Sequence, residues 1–133
     1  MARTVTEADC AKPPPASTRP RILLAEDDDE LRIALTAMLR GDGAEVVGVS
    51  SGRALEAELW RTTGQENPYT LVITDEHMPG GYGSSALRWA RRHGWRIPFM
   101  LISGFDDDDL NRKAASLRAV LLTKPLDADQ LRG

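Results

Sequence analysis

Apolar positions along the chain fall into short runs separated by stretches with helical spacing. The runs are Ile22-Leu23-Leu24-Ala25, Glu45-Val46-Val47-Gly48-Val49, Leu71-Val72-Ile73, Phe99-Met100-Leu101-Ile102 and Ala119-Val120-Leu121-Leu122. Most are continuously apolar, as in strands buried on both faces of a parallel sheet, whereas the second is more broken and suits an edge. Between the runs, Leu31, Ala34, Leu35, Met38 and Leu39 recur at i, i+3, i+4 intervals and predict one buried helix face. Leu55 and Leu59 begin a second helix, Leu87 and Ala90 a third, and Leu110, Ala114 and Leu117 a fourth. Gly41 and Gly43 stop the first. A fifth helix starts where Asp127 and Gln130 have capping-box spacing, and it reads as truncated, since Gly133 follows after barely a turn. Strand and helix thus alternate five times without an internal repeat. That order predicts an α/β domain, a doubly wound parallel five-stranded sheet between helices joined by right-handed crossovers.

The 133 residues suffice for one domain with a real core, and 41% hydrophobic with 28% charged residues is ordinary for a soluble globular chain. Residues 1–20 have a different texture, with few large apolar side chains and Pro13-Pro14-Pro15 followed by Ser17, Thr18 and Pro20. Such a stretch buries too little surface to offset its ordering entropy, so it is expected to be a disordered leader or linker ahead of a domain over 21–133. A net charge of −3 gives no basic stripe for a nucleic acid, and the arginines around the third helix (Arg88, Arg91, Arg92, Arg96) read as a solvated face. No stretch has the roughly 20 apolar residues of a membrane span, so no membrane contact is expected. Cys10 is the sole cysteine, which excludes an internal disulfide and makes the cytoplasm the expected compartment. Trp60, Trp89 and Trp95 read as partly buried packing residues, and His93 as structural.

In an open parallel sheet, ligands sit outside the carboxyl ends of the strands. Glu26 and Asp27 follow the first run, Asp75 the third, Ser103 the fourth and Lys124 the fifth. Three carboxylates, a hydroxyl and an ammonium therefore converge on one edge. Carboxylates crowded in this way repel one another unless a hard cation neutralises them, and Mg²⁺ suits a shallow, all-oxygen site. An aspartate can accept a phosphoryl group covalently, and transfer to it depends mostly on positioning and charge neutralisation. A lysine offers a compact positive charge to a phosphoryl oxygen, and a serine hydroxyl can donate to another.

Four segments carry a resemblance: Leu24-Ala25-Glu26-Asp27-Asp28, Val72-Ile73-Thr74-Asp75-Glu76-His77-Met78-Pro79-Gly80, Leu101-Ile102-Ser103-Gly104 and Leu122-Thr123-Lys124-Pro125. In order and spacing they resemble the signature segments of response-regulator receiver domains, over everything from about Arg21 onward. The resemblance implies a flavodoxin-like fold with strand order 2-1-3-4-5. It implies Asp75 as phosphoacceptor, and Mg²⁺ (with Mn²⁺ able to substitute) held by Glu26, Asp27, Asp75 and the backbone carbonyl of His77. Ser103 and Lys124 are implied to bond the phosphoryl group, and the Lys124-Pro125 bond resembles one that is often cis. The implied donor is a histidine kinase or a histidine phosphotransfer protein. Such a domain is not an enzyme for external substrates and catalyses only its own phosphorylation and dephosphorylation. A homodimer through the last helix is left open.

Leu121 departs from the family, which often has an aromatic residue three before the lysine; simple core packing is the expectation here. His77 and Phe105 occupy positions that tune hydrolysis of the aspartyl phosphate in such domains, or else are an ordinary loop imidazole and loop aromatic. Phe105 cannot hydrogen-bond an attacking water, which predicts a phosphorylated form lasting minutes or longer. Asp28 and Asp29 suit the start of the first helix, and Asp106 to Asp109 that of the fourth. Three rivals are weighed. A flavodoxin would need hydroxyls and glycines where acidic Glu26 and Asp27 stand. A phosphatase of the aspartyl-phosphate type commonly has an acid two residues past the nucleophile, where His77 stands. A degenerate pseudo-receiver serving only as a protein-interaction module usually lacks a site residue, and none is lacking.

Overall fold

The computed structural model describes residues 19–64, 68–104 and 108–124. Each long apolar run forms a strand: β1 (Arg21–Ala25), β2 (Glu45–Val49), β3 (Leu71–Asp75), β6 (Phe99–Ser103) and β7 (Val120–Thr123). They form one sheet in the order β2-β1-β3-β6-β7, parallel at every pairing. This is the expected 2-1-3-4-5 order once a small extra hairpin, β4 (His77–Met78) with β5 (Gly81–Tyr82), is set aside.

Strand periodicity divides the core in two. Leu23, Ala25, Val72, Phe99 and Leu101 point to one face, where they pack with residues of α2 (Gly52–Arg61), α3 (Gly83–Arg92) and α4 (Asp108–Ser116). Ile22, Leu24, Ile73, Met100 and Ile102 point to the other, against Leu35 and Leu39 of α1 (Asp29–Gly41). Double burial explains why the central runs are unbroken in sequence. β2 is an edge as expected. β7 is the other edge, so the apolar run there misleads, and Val120 is 55% exposed.

The helices begin and end for local reasons. Asp28 caps α1 by accepting from the Leu31 amide (3.2 Å), and Asp29 and Glu30 follow in its first turn. Of the predicted stripe on α1, Leu35 and Leu39 are buried, Leu31 and Met38 are half-buried, and Ala34 is exposed. Ser51 caps α2 through the Ala54 amide (3.0 Å). The fifth helix, with Asp127 and Gln130, lies outside the described residues, as do Asp106, Asp107 and residues 1–18. No described helix is long and apolar enough to cross a membrane.

Two expectations are corrected. Trp60 is 65% exposed, meeting Trp89 edge-on at 6.0 Å, while Trp89 also meets Trp95 and stacks on His93. Arg91 is not part of a solvated face. Its guanidinium donates to the carbonyls of Leu117 (2.8 Å), Trp95 (2.8 Å) and Ile97 (2.9 Å), and lies 5.4 Å from the centre of the Phe99 ring. One side chain thus ties α3, the turn into β6 and the end of α4 together. Arg88, three residues earlier, is exposed and makes no such bonds among the described residues. Arg91→Ala is expected to lower stability by about 2–3 kcal/mol in urea unfolding, because charge-assisted bonds are lost and carbonyls are left without donors. Arg88→Ala is expected to stay within about 0.5 kcal/mol of the parent. Equal effects of the two would contradict this role for Arg91.

Candidate functional site

Four neighbouring strands, β1, β3, β6 and β7, bring the chemistry together. Asp75 is the last residue of β3, in the middle of the sheet, and Ser103 is the last residue of β6; both lie within the strands rather than just past them. Glu26 and Asp27 follow β1 directly, and Lys124 follows β7. Parallel register aligns these ends, pairing Ala25 with Thr74, Asp75 with Ile102 and Ser103 with Thr123. The Glu26 amide donates to the Val49 carbonyl (3.0 Å) and the Lys124 amide to the Ser103 carbonyl (2.8 Å), so the ladders continue one step beyond the strands on both sides.

Carboxylate oxygens of Glu26, Asp27 and Asp75 all lie within 4.8 Å of one another. The Lys124 ammonium bridges two of them, 2.9 Å from Asp75 Oδ2 and 3.2 Å from Glu26 Oε1. The other Glu26 oxygen faces the Asp28 amide at 3.4 Å. Asp75 and Glu26 are 5% and 1% exposed and Ser103 is fully buried, whereas Asp27 opens to solvent. Burial, then the hydrogen bond to Asp75 and its charge, push the Glu26 carboxyl up to about 7. For Lys124, burial opposes the charge, but the bonds and charges of Asp75 and then Glu26 outweigh it and hold its pKa above the ordinary lysine value. One ammonium among three crowded carboxylates leaves an excess of negative charge. The donors are all hard oxygens, the type of set that Mg²⁺ takes.

The segment after Asp75 is fixed closely. The Glu76 amide donates to the Ile102 carbonyl (2.8 Å), and the Glu76 carbonyl accepts from the Gly83 amide (3.0 Å). Gly83 begins α3 directly against β3, where an added Cβ would lie 2.5 Å from the Asp75 carbonyl oxygen. Gly52 likewise begins α2 where a Cβ would lie 2.7 Å from the Gly81 carbonyl oxygen, and its amide donates to the Pro79 carbonyl (3.1 Å). His77 is exposed, its ring edge-on to Tyr82 at 5.6 Å, and its side chain is not among the clustered ligands.

All the residues expected at the strand ends are therefore assembled, with Leu121 half-buried against the core. Phe105 and Pro125 lie outside the described residues. Sequence reasoning missed Glu76, which is 5% exposed and holds Ser84 at the start of α3. The available signal was Tyr82, a residue that cannot cap a helix with its side chain, directly before that start.

The profile of the response regulator receiver domain matches residues 22–133. The response regulator receiver protein CpdR of Brucella abortus is 35% identical over 106 residues, covering 79% of this chain and 84% of its own length. The sensor histidine kinase GacS of Pseudomonas protegens is 31% identical over 124 residues, covering 87% of this chain but 13% of the kinase. Among solved structures, the receiver domain of the hybrid histidine kinase CckA superposes with a TM-score of 0.67 at 30% identity, covering 84% of this chain and 92% of that one. The non-phosphorylated HemR receiver domain of Leptospira biflexa shares the fold, with a TM-score of 0.73 at 23% identity over 86% of this chain and 89% of that one. With strand order, site composition and sequence profile in agreement, the chain belongs to the response-regulator receiver domains of two-component signalling.

Proposed function

We propose that this receiver accepts a phosphoryl group on Asp75, in a Mg²⁺-dependent reaction in the cytoplasm, from the phosphohistidine of a histidine kinase or phosphotransfer protein. The observation that carries this is the placement of Asp75, with Lys124 Nζ at 2.9 Å on one side and the carboxylates of Glu26 and Asp27 on the other. Glu26, Asp27, Asp75 and the His77 carbonyl would hold Mg²⁺, with Mn²⁺ able to substitute. The bound cation supplies charge neutralisation for the phosphoryl oxygens.

The protein's own groups do the rest. An Asp75 oxygen attacks phosphorus, the P–O bond forms as the P–N bond to histidine breaks, and the imidazole leaves with the electron pair and takes a proton from solvent. Lys124 offsets charge that would otherwise repel the incoming group, and the Ser103 hydroxyl donates to a phosphoryl oxygen. Phosphorylation exchanges the single carboxylate charge of Asp75 for a phosphoryl group carrying about −1.5 to −2 and strong acceptors, so Ser103 and Lys124 are drawn toward it. The Lys124 amide bond to the Ser103 carbonyl makes β6 and β7 respond together. The output is then a changed interaction surface around α4 and β7.

Intact-protein mass spectrometry after incubation with a small-molecule phosphodonor is expected to show one added phosphoryl group with Mg²⁺, none without it, and none in Asp75→Asn. Label retained by Asp75→Asn would move the acceptor elsewhere. Lys124→Ala is expected to keep Mg²⁺ binding but lose the structural change on phosphorylation; a normal change in its amide spectrum would remove the role given to Lys124.

The raised pKa of Glu26 has a pH signature. The folded state holds a proton that the unfolded state has released between pH 4.5 and about 7, so metal-free stability falls as pH rises through that window. The fall is expected to be complete by about pH 8. Mg²⁺ is expected to flatten this slope by favouring the ionised form. Urea unfolding from pH 5 to 8 with and without Mg²⁺ checks it, and identical slopes would count against a cation among these carboxylates.

A further inference from the structure

α3 begins beside the acceptor and lacks the usual means of starting. Its N-cap residue, Tyr82, makes no side-chain bond to the first turn. The first-turn donors of a helix need an acceptor, and Ser, Thr, Asp or Asn at the N-cap normally supplies one. Here the carboxylate comes from outside the helix. Glu76 Oε1 accepts from the Ser84 amide (2.7 Å) and Glu76 Oε2 from the Ser84 hydroxyl (2.8 Å), all buried. Both carboxylate oxygens are thereby used, and Glu76 stands outside the ligand cluster of Glu26, Asp27 and Asp75.

The backbone of the same residue is held as firmly. Its amide is on the Ile102 carbonyl of β6 and its carbonyl on the Gly83 amide of α3. Residue 76 is therefore locked to two elements through four hydrogen bonds. Its chain neighbours are Asp75, the acceptor, and His77, whose carbonyl is proposed to face the metal. We propose that Glu76 is a positioning residue, its clasp on Ser84 fixing the Asp75 carboxylate and the His77 carbonyl in the geometry that phosphoryl transfer uses. This rests on the reading of Asp75 as acceptor. A carboxylate at a helix N-terminus is also electrostatically favoured, which supports the bonds of Glu76 to Ser84. Groups that orient metal ligands in this indirect way typically change affinity or activity by about 10–100-fold when removed.

The test compares Glu76→Ala, Glu76→Gln, Ser84→Ala and the double variant Glu76→Ala/Ser84→Ala. Two readouts are taken on the full chain: Mg²⁺ affinity by calorimetry, and the rate of phosphorylation from a small-molecule donor. Glu76→Ala is expected to lose about tenfold in both. Glu76→Gln is expected to stay within about threefold of the parent, because its amide oxygen can accept from the Ser84 amide while its NH₂ donates to the Ser84 hydroxyl. Ser84→Ala, which removes one arm, is expected to fall between them, and the double variant to be no worse than Glu76→Ala. Parental values for Glu76→Ala would overturn the proposal. So would Glu76→Gln falling as far as Glu76→Ala, which would show that charge rather than position matters. Should Glu76→Ala not fold, Ser84→Ala still decides, since parental affinity and rate in that variant would also overturn it. A parent chain that binds Mg²⁺ but takes no phosphoryl group would refute the acceptor reading, leaving the affinity series to judge Glu76.

Discussion

Repulsion among carboxylates gathered at the end of a buried sheet is the constraint on which the rest of this domain depends. Moving an ionised carboxylate out of water is unfavourable unless it is paired. Here Asp75 and Glu26 are both nearly inaccessible, with Asp27 close by and a single ammonium among them. The Glu26 carboxyl responds by holding its proton up to about 7. A site of this kind is poised rather than satisfied. It gains from any event that brings positive charge, and the rigid surroundings prevent it from relaxing by moving the carboxylates apart.

That rigidity has identifiable parts. The five-stranded ladder sets the strand ends, with Asp75 on the central strand where neighbours on both sides fix its backbone. The loop beyond it is clamped twice by helix starts that only glycine permits, Gly83 against the Asp75 carbonyl and Gly52 against Gly81. On the far side of the molecule Arg91 performs a similar task with three backbone carbonyls, holding the route from α3 into β6. The acidic end is thus stabilised by contacts that do not themselves relieve its charge.

Much of this was legible in the sequence because it depends on period and order. Double-sided burial makes a parallel strand read as an unbroken apolar run, so Ile22–Ala25 and Phe99–Ile102 announced themselves, and the residues following each run were candidates by topology alone. What escaped depends on where side chains turn. Val120 looks like core in sequence, but it lies on an edge strand that leaves it exposed. Arg91 is one arginine among several, and only the turn after α3 decides that it faces backbone carbonyls. Trp60 sits at the end of α2, where an aromatic pair with Trp89 forms without full burial. Glu76 reads as one more acid beside Asp75 until the structure shows both its oxygens taken by Ser84.

Leu121 bears on how the site communicates. A residue able to report phosphorylation by rotating would need an alternative position, and a half-buried leucine packed on the core has no polar group to trade between two environments. A polar path remains beside it. The buried Ser103 is tied to Lys124 through the backbone, and Lys124 reaches Asp75 through its side chain. A pull on the lysine is therefore also a pull on the last step of the β6–β7 ladder, whose outer strand is the edge of the described sheet and carries exposed Val120. A change at the lysine would then reach the sheet edge through hydrogen bonds rather than through the flip of one aromatic ring.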